Sequence, residues 1–312
     1  MNMKITIIGA GALGGYFGAR LDQAGHHVQF YVRPRRAKQL EECGLTVYSP
    51  HGNYTIDLPH VVQHVKEIQK VDLVLLTVKG YHLTDVMPQL KWLVNKGAKV
   101  LPLLNGIEHI YTLQEELGKE NVLGGLAFII ATLDDRGHVV HSSQEHNLYF
   151  GALHPSQEPL CTALSKVWKD SNMDALYRDN IRYDMWEKYM FITAFSGITT
   201  VGDFPIETVK KVPATLMATK RVLEEMKMLA NAYNIPITEE TVQANMSKML
   251  SFSDDATSSM HQDKRKGLML EVDHLQGGAL RLADSVRMEM PHIYMMYGIL
   301  KAYENNKKIT TT

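Results

Sequence analysis

Cysteine is nearly absent. Only Cys43 and Cys161 occur in 312 residues, and they lie far apart. This argues against a disulfide framework and against a cysteine zinc site, and it points to a reduced, cytoplasmic compartment. No apolar run reaches membrane-spanning length, so no membrane is expected as a partner. The formal net charge is −1 and no basic tract stands out, which leaves no footprint for nucleic acid. The fourteen histidines are scattered without metal-ligand spacing, so no metal is expected, and His26-His27 reads as a helix-to-strand turn. The first residues enter a strand almost at once, which leaves no room for a signal peptide. There is no internal repeat and no low-complexity tract. What remains is a soluble globular profile, 45% apolar and 21% charged, of a length that suits two domains.

The most informative stretch runs from Lys4 to Gly15. Ile5, Ile7 and Ile8 are β-branched and apolar, as a strand covered on both faces requires. Gly9-Ala10-Gly11-Ala12-Leu13-Gly14 follows, a Gly-x-Gly-x-x-Gly turn that opens a helix. Gly9 permits the tight turn, Gly11 admits a pyrophosphate to the backbone, and Gly14 lets helix and strand pack closely. The helix start adds N–H groups and a positive dipole end. The expectation is a dinucleotide site; the competing reading is a turn that serves packing alone.

A helix over Tyr16–Ala24 ends at Gly25, and His27–Val32 forms the second strand. Proteins that bind NAD place an acid near the end of this strand for the ribose 2′-hydroxyl. Here the sequence is Val32-Arg33-Pro34-Arg35-Arg36, with three arginines and no acid. Planar, permanently charged guanidinium groups suit a 2′-phosphate, so NADP is the expected cofactor. The alternative is a solvated basic helix start. Further on, a helix over Ala37–Cys43, strands around Leu45–Tyr48, Tyr54–Leu58, Val71–Val78 and Ala98–Leu104, and helices over His82–Trp92 and Ile107–Leu117 continue the alternation. Lys79 and Asn105 fall just past carboxyl ends of strands, where ligands bind in open α/β sheets. Lys79 reads as a cofactor contact or a loop lysine. Asn105 reads as a nicotinamide-ribose or substrate contact, or as Asn-Gly turn chemistry. Val122–Thr132 and His138–His141 form a hairpin turning at Asp134-Asp135-Arg136-Gly137, Asn147–Phe150 is a separate strand, and Gln157–Trp168 is a helix. The alternation implies a mainly parallel, doubly wound sheet.

The pattern turns helical near Asp179. The expected domains are 1–178, α/β, and 179–312, all-helical, with Asn305–Thr312 fraying. On the helix around Asn180–Gly197, Lys188 shares a face with Met185, Ile192, Phe195 and Ser196. Such a lysine either snorkels to water or has a task, and partial burial would fit it for proton transfer. Ser259, Asp263, Gly267 and Glu271 follow one another at helical spacing, which puts hydroxyl and carboxylates on one side if the segment stays helical. Periodicity alone leaves Lys188 and Glu271 as surface charges.

At these residues the chain resembles the ketopantoate reductases (2-dehydropantoate 2-reductases), over essentially its whole length. The marks are the glycine turn, Lys79, Asn105-Gly106, Trp186-x-Lys188, Ser258-Ser259-Met260-x-Gln262-Asp263 and Glu271-Val272-Asp273. The resemblance implies a Rossmann-type domain followed by a helical one, and NADPH-dependent reduction of a 2-oxo acid on the route to pantothenate and coenzyme A. It implies that Lys188 is the general acid and that Glu271 contacts the cofactor ribose and positions the lysine. Asn105 would be shared between nicotinamide and substrate, and Ser259 would bind substrate. Arg33 would hold the 2′-phosphate, Lys79 would lie on the cofactor side, and the Ala131 backbone would touch the cofactor. The active site is expected in a cleft between the domains, and a homodimer is possible.

The chain departs from the family where asparagines usually stand four and eight residues after the lysine. Here those positions are Ile192 and Ser196. Serine keeps a short-reach hydrogen bond and isoleucine keeps none; Thr193 and Thr199 are the nearest hydroxyls that could compensate. The departure bears on which 2-oxo acid is bound more than on the chemistry. The rivals are a reductase of the same architecture for another 2-oxo acid, and a redox-sensing NADP-binding module without turnover.

Overall fold

The computed structural model describes residues 2–310, with side chains through residue 304. The tail Asn305–Thr312, expected to fray, falls outside the residues whose side chains are described. The chain divides into two compact units: Met1–Leu104 with His109–Ile181, and Asn105–Glu108 with Arg182–Thr312.

The first unit opens with β1 (Lys4–Ile8), α1 (Ala12–Gln23), β2 (His27–Tyr31), α2 (Pro34–Cys43), β3 (Leu45–Tyr48), β4 (Tyr54–Ile56) and β5 (Val61–Val62). It continues with β6 (Leu73–Leu76), α3 (Leu83–Asn95), β7 (Lys99–Pro102) and α4 (Glu108–Leu117). The last elements are β8 (Gly124–Leu133), β9 (Val139–Gly151), α5 (Glu158–Val167) and β10 (Asp174–Tyr177). Five strands form a wholly parallel sheet in the order β5-β2-β1-β6-β7. The order reverses between β1 and β6, so the carboxyl ends of these two strands frame the crevice where such sheets take ligands. Alternation along the strands divides the core. Ile5, Ile7, Leu73 and Leu75 face one apolar cluster, which also holds Tyr16, Phe17 and Trp168. Ile8, Val74 and Leu76 face another, which holds Leu90 and Leu93 of α3 and Leu113 and Leu117 of α4. Burial on both faces explains why these strands lack polar alternation.

A second sheet, β10-β9-β3-β4 with β8 paired to β9, is a separate structure that periodicity did not distinguish. His138–His141 and Asn147–Phe150 were expected as separate strands; they belong to one strand, β9, laddered antiparallel along β8. The polar interior Ser142–His146 hid this continuity. The turn falls where expected, with the Asp134 carboxylate accepting from the N–H groups of Arg136 and His138 at 3.0 and 2.8 Å.

Scattered histidines meet in this unit. The rings of His51 and His146 stack at 3.7 Å, and His141 lies parallel to His146 at 6.1 Å. The Tyr16 hydroxyl pairs with His146 Nδ1 at 2.7 Å, and the buried Arg20 guanidinium sits 5.1 Å from the Tyr16 ring. Among the described residues no three His, Cys, Asp or Glu groups are placed to hold a metal ion. Burial, then the neighbouring imidazoles and Arg20, lower the pKa of His146; burial does the same at His141, against the Glu145 carbonyl. The unfolded chain therefore binds more protons than the folded one, so this contribution is full above about pH 6.5 and is lost as pH falls below it. Thermal melts should show a lower Tm at about pH 5.5 than at about 7.5, and His146→Gln should flatten the difference; an unchanged slope in the variant would remove the stack as its cause.

The second unit contains α6 (Ile181–Gly202), α7 (Ile206–Lys211), α8 (Pro213–Ala232), α9 (Glu239–Ser251), α10 (Ser259–Arg265), α11 (Gln276–Ser285) and α12 (Pro291–Thr310). Helix α6 is buried nearly all round, which accounts for its apolar composition. Trp186, Tyr189, Met190 and Ala194 are buried in this unit, as are Val222, Met226 and Leu229 of α8, Ala279 of α11 and Ile293 and Met296 of α12. The buried Glu225 carboxylate accepts from the N–H groups of His292 and Ile293, at 2.9 and 3.0 Å, and so caps α12 at the end where its dipole is positive.

Candidate active site

The glycine turn closes as its spacing demands. Gly9 has φ +97°, and a Cβ there would stand 2.9 Å from Val78 Cγ1. A Cβ on Gly14 would lie 2.2 Å from the Gly9 carbonyl oxygen and 2.3 Å from Thr77 Oγ1. Above Gly11 nothing lies within 4 Å of the corresponding position. Two side chains hold the loop carbonyls: Thr77 Oγ1 donates to Gly9 O at 2.6 Å, and Arg36 Nε donates to Ala10 O at 2.8 Å. Gly11 is the N-cap of α1, no side chain caps that end, and the first turn, which begins with Ala12 and Leu13, carries no acid. Two loop carbonyls are thus held by side chains, while no side chain caps the N–H end of α1.

The arginines divide their tasks. Arg36 is committed to the loop and to Gln39. Arg33, exposed at the N-cap of α2, donates to Asp85 Oδ2 at 3.0 Å and lies 2.9 Å from His82 Nδ1. An anion at Arg33 would therefore compete with Asp85. Lys79 is half-buried at the start of the single turn Gly80–His82 that follows β6. Ala131 lies at the β-bulge of β8, opposite His141. The β8–β9 turn reaches the glycine loop through Arg36, whose guanidinium packs against Gly137.

In the helical unit, burial draws the pKa of Lys188 down to about 8; the Glu271 carboxylate opposes this and the Lys248 ammonium adds to it. Near neutrality the amine is thus charged yet gives up its proton readily. Glu271 is buried, but not on the helix that its spacing suggested. Helix α10 stops at Arg265, Gly267 takes φ +71°, and Glu271 stands in the irregular segment before α11. The expected one-sided row of Ser259, Asp263, Gly267 and Glu271 does not form. Instead the Glu271 carbonyl accepts from the N–H groups of His274 and Leu275, at 3.0 and 2.9 Å, which fixes the segment as the lead-in to α11.

Asn105 joins this unit through the same segment. It is half-buried, its backbone carbonyl takes a hydrogen bond from the His274 imidazole, and Gly106, at φ +88°, lies against His274 so closely that a Cβ would meet its carbonyl at 3.2 Å. Burial lowers the pKa of His274, against Glu271 and Glu108. Glu108 takes a two-pronged pair from Arg281, at 2.7 and 2.6 Å, and Arg281 also donates to Asp273 O. Asp273, the third residue of Glu-Val-Asp, pairs with Lys301 at 2.8 Å and is structural.

A family model described as "Ketopantoate reductase PanE/ApbA" matches residues 5–155, and one described as "Ketopantoate reductase PanE/ApbA C terminal" matches residues 180–304. The chain belongs to the ketopantoate reductase family. It is an oxidoreductase of that family, 31% identical to the uncharacterized oxidoreductase YkpB of Bacillus subtilis (strain 168), over 98% of this chain and 100% of that one. It is 26% identical to the 2-dehydropantoate 2-reductase of Lactococcus lactis subsp. lactis (strain IL1403), over 93% and 94%. In fold it is similar to D-mandelate dehydrogenase, solved with NADH and anilino(oxo)acetate, with a TM-score of 0.89 over 98% and 100% of the chains at 24% identity.

Within this ketopantoate reductase family member, Ser196 is buried on α6 two turns beyond Lys188, and Ile192 is half-buried between them. Thr199 is occupied, donating to Phe195 O at 2.7 Å and lying 3.2 Å from Ser258 Oγ. Thr193 is fully buried. Of the serine pair, Ser258 is the buried N-cap of α10, accepting from His261 N at 3.1 Å, while Ser259 is exposed on its first turn. Sequence reading missed Asp85, His274 and Lys248. Nothing local marks them, because each matters through a partner distant in the chain.

Proposed function

We propose that the chain is an NADPH-dependent reductase of a 2-oxo acid, with 2-dehydropantoate as the substrate to which family membership points. The observation that carries the reading is Lys188: a half-buried ammonium held near a pKa of about 8, with the buried Glu271 acting on it. Gly9, Ala10, Gly11, Ala12, Leu13 and Gly14 would hold the pyrophosphate, with Arg33 toward a 2′-phosphate and Lys79 and the Ala131 backbone alongside. Bound NADPH supplies the hydride. Lys188 Nζ polarises the keto oxygen and delivers its proton as charge builds there. Glu271 favours the charged form of Lys188 and so keeps the donor loaded. The Asn105 side chain would orient substrate and nicotinamide from a turn anchored by His274. Ser196 and Ser259 would bind the acid.

The test is NADPH oxidation followed by absorbance with 2-dehydropantoate and a panel of other 2-oxo acids, with NADH as the control. NADH deserves a place because the fold neighbour D-mandelate dehydrogenase was solved with it and because Arg33 is shared with Asp85. Turnover with NADPH and at least one oxo acid is expected. Cofactor binding with every oxo acid inert would leave a sensor instead. The second reading, a different 2-oxo acid in the same chemistry, is favoured by Ile192, which offers no hydrogen bond to a substrate hydroxyl. A homodimer in the cytoplasm completes the proposal.

A further inference from the structure

Helix α6 carries an aromatic face beside its lysine. Phe191 and Phe195 stack at 5.8 Å, and Phe252, at the end of α9, meets both edge-on, at 5.9 and 5.5 Å. Phe191 lies three residues and Ile192 four residues beyond Lys188, one helical turn away. Lys248, on the last turn of α9, holds its ammonium 5.0 Å from the Phe191 ring centre. It also lies near enough to Lys188 to oppose its charge. Lys248 thus stands over a ring that lies one helical turn from Lys188.

We propose that Lys248 holds the carboxylate of the 2-oxo acid over the Phe191–Phe195–Phe252 face, and that this face selects acids whose side chain is wholly apolar. The inference rests on the reductase reading and takes its second form, a 2-oxo acid other than 2-dehydropantoate. A 2-oxo acid carries its carboxylate and keto oxygen on adjacent carbons, so one molecule spans two neighbouring cations: carboxylate to Lys248, keto oxygen to Lys188. Its third substituent then faces the rings and Ile192, which reward buried methyl or phenyl groups and offer no hydrogen bond to a hydroxyl. Lys248 is a binding residue here, and the proton still comes from Lys188.

The experiment compares wild type, Lys248→Gln and Lys248→Arg with NADPH and three probes: 2-dehydropantoate, 3-methyl-2-oxobutanoate and phenylpyruvate. Wild type should prefer an acid without the hydroxyl. Lys248→Gln should raise KM for that acid roughly tenfold, the loss of one charge-assisted contact, with KM for NADPH unmoved. Lys248→Arg should restore most of the affinity. Removing the ammonium should also shift the basic limb of the kcat/KM profile upward, because only Glu271 and burial would then act on Lys188. A KM that ignores Lys248→Gln, or a wild-type preference for the hydroxylated acid, would overturn the inference while the reductase reading stood. Wild type inert with all three probes and the wider panel would overturn both.

Discussion

Lys188→Ala should lower turnover by about a thousandfold, within the range that one positioned acid contributes, while NADPH binds with unchanged affinity. On the proposed mechanism the substitution removes the donor at the keto oxygen, and it leaves the glycine turn untouched. Lys188→Arg separates the two roles of the amine. Its guanidinium keeps a positive charge near the carbonyl but holds its proton far too tightly to give it up. If charge alone sufficed, arginine would rescue most of the rate; we expect it to rescue little. The pH profile supplies the sign. If Lys188 is the acid, the reduction needs its protonated amine, so kcat/KM of the wild type should hold at neutral pH and fall as pH rises through about 8, where Lys188 loses its proton. A wild-type rate that climbs through this range would exclude Lys188 as the acid.

Gly14→Val should weaken NADPH binding about a hundredfold and destabilise the first unit by roughly 1–3 kcal/mol. The first atom of any side chain would sit 2.2 Å from the Gly9 carbonyl, with Ile7 Cγ2 at 2.9 Å on another side. Backbone and a fully buried strand residue cannot retreat, so α1 must move, and the N–H groups at its start move with it. The effect should appear in NADPH Kd by fluorescence titration and in Tm together. Gly11→Ala is the contrast: with open space around its position, folding should be spared. Wild-type NADPH affinity in Gly14→Val would mean that the cofactor lies elsewhere.

Where sequence spoke clearly, the signal was local. Strand β1, the turn and α1 are contiguous, and Gly14 is confined by the Gly9 carbonyl and Ile7 of the same stretch. The apolar face that Met185, Ile192 and Phe195 share with Lys188 raised the question of a buried lysine, but periodicity alone left it a surface charge, and its expected role came from the family resemblance. Glu271 was placed on the right segment but in the wrong conformation. Helical spacing ran on past Gly267, whose left-handed backbone ends the helix. The reading of β9 broke because Ser142–His146 looks like a loop, yet pairing along β8 and burial of His141, Ser143 and His146 keep it extended. Arg33 was expected to await a phosphate and is found with Asp85, some fifty residues away. No periodicity encodes such a pairing.

Asn105–Glu108 are grouped with the helical unit although the residues on both sides of them belong to the first. The backbone therefore passes from one unit to the other at three places, and a single cut near residue 181 does not release an autonomous helical fragment. A recombinant piece starting there would lack Glu108, the partner of Arg281, and the Asn105 carbonyl that receives His274. Truncation is thus a poor way to study the lysine in isolation, and limited proteolysis between the units should leave the pieces associated until denaturant is added.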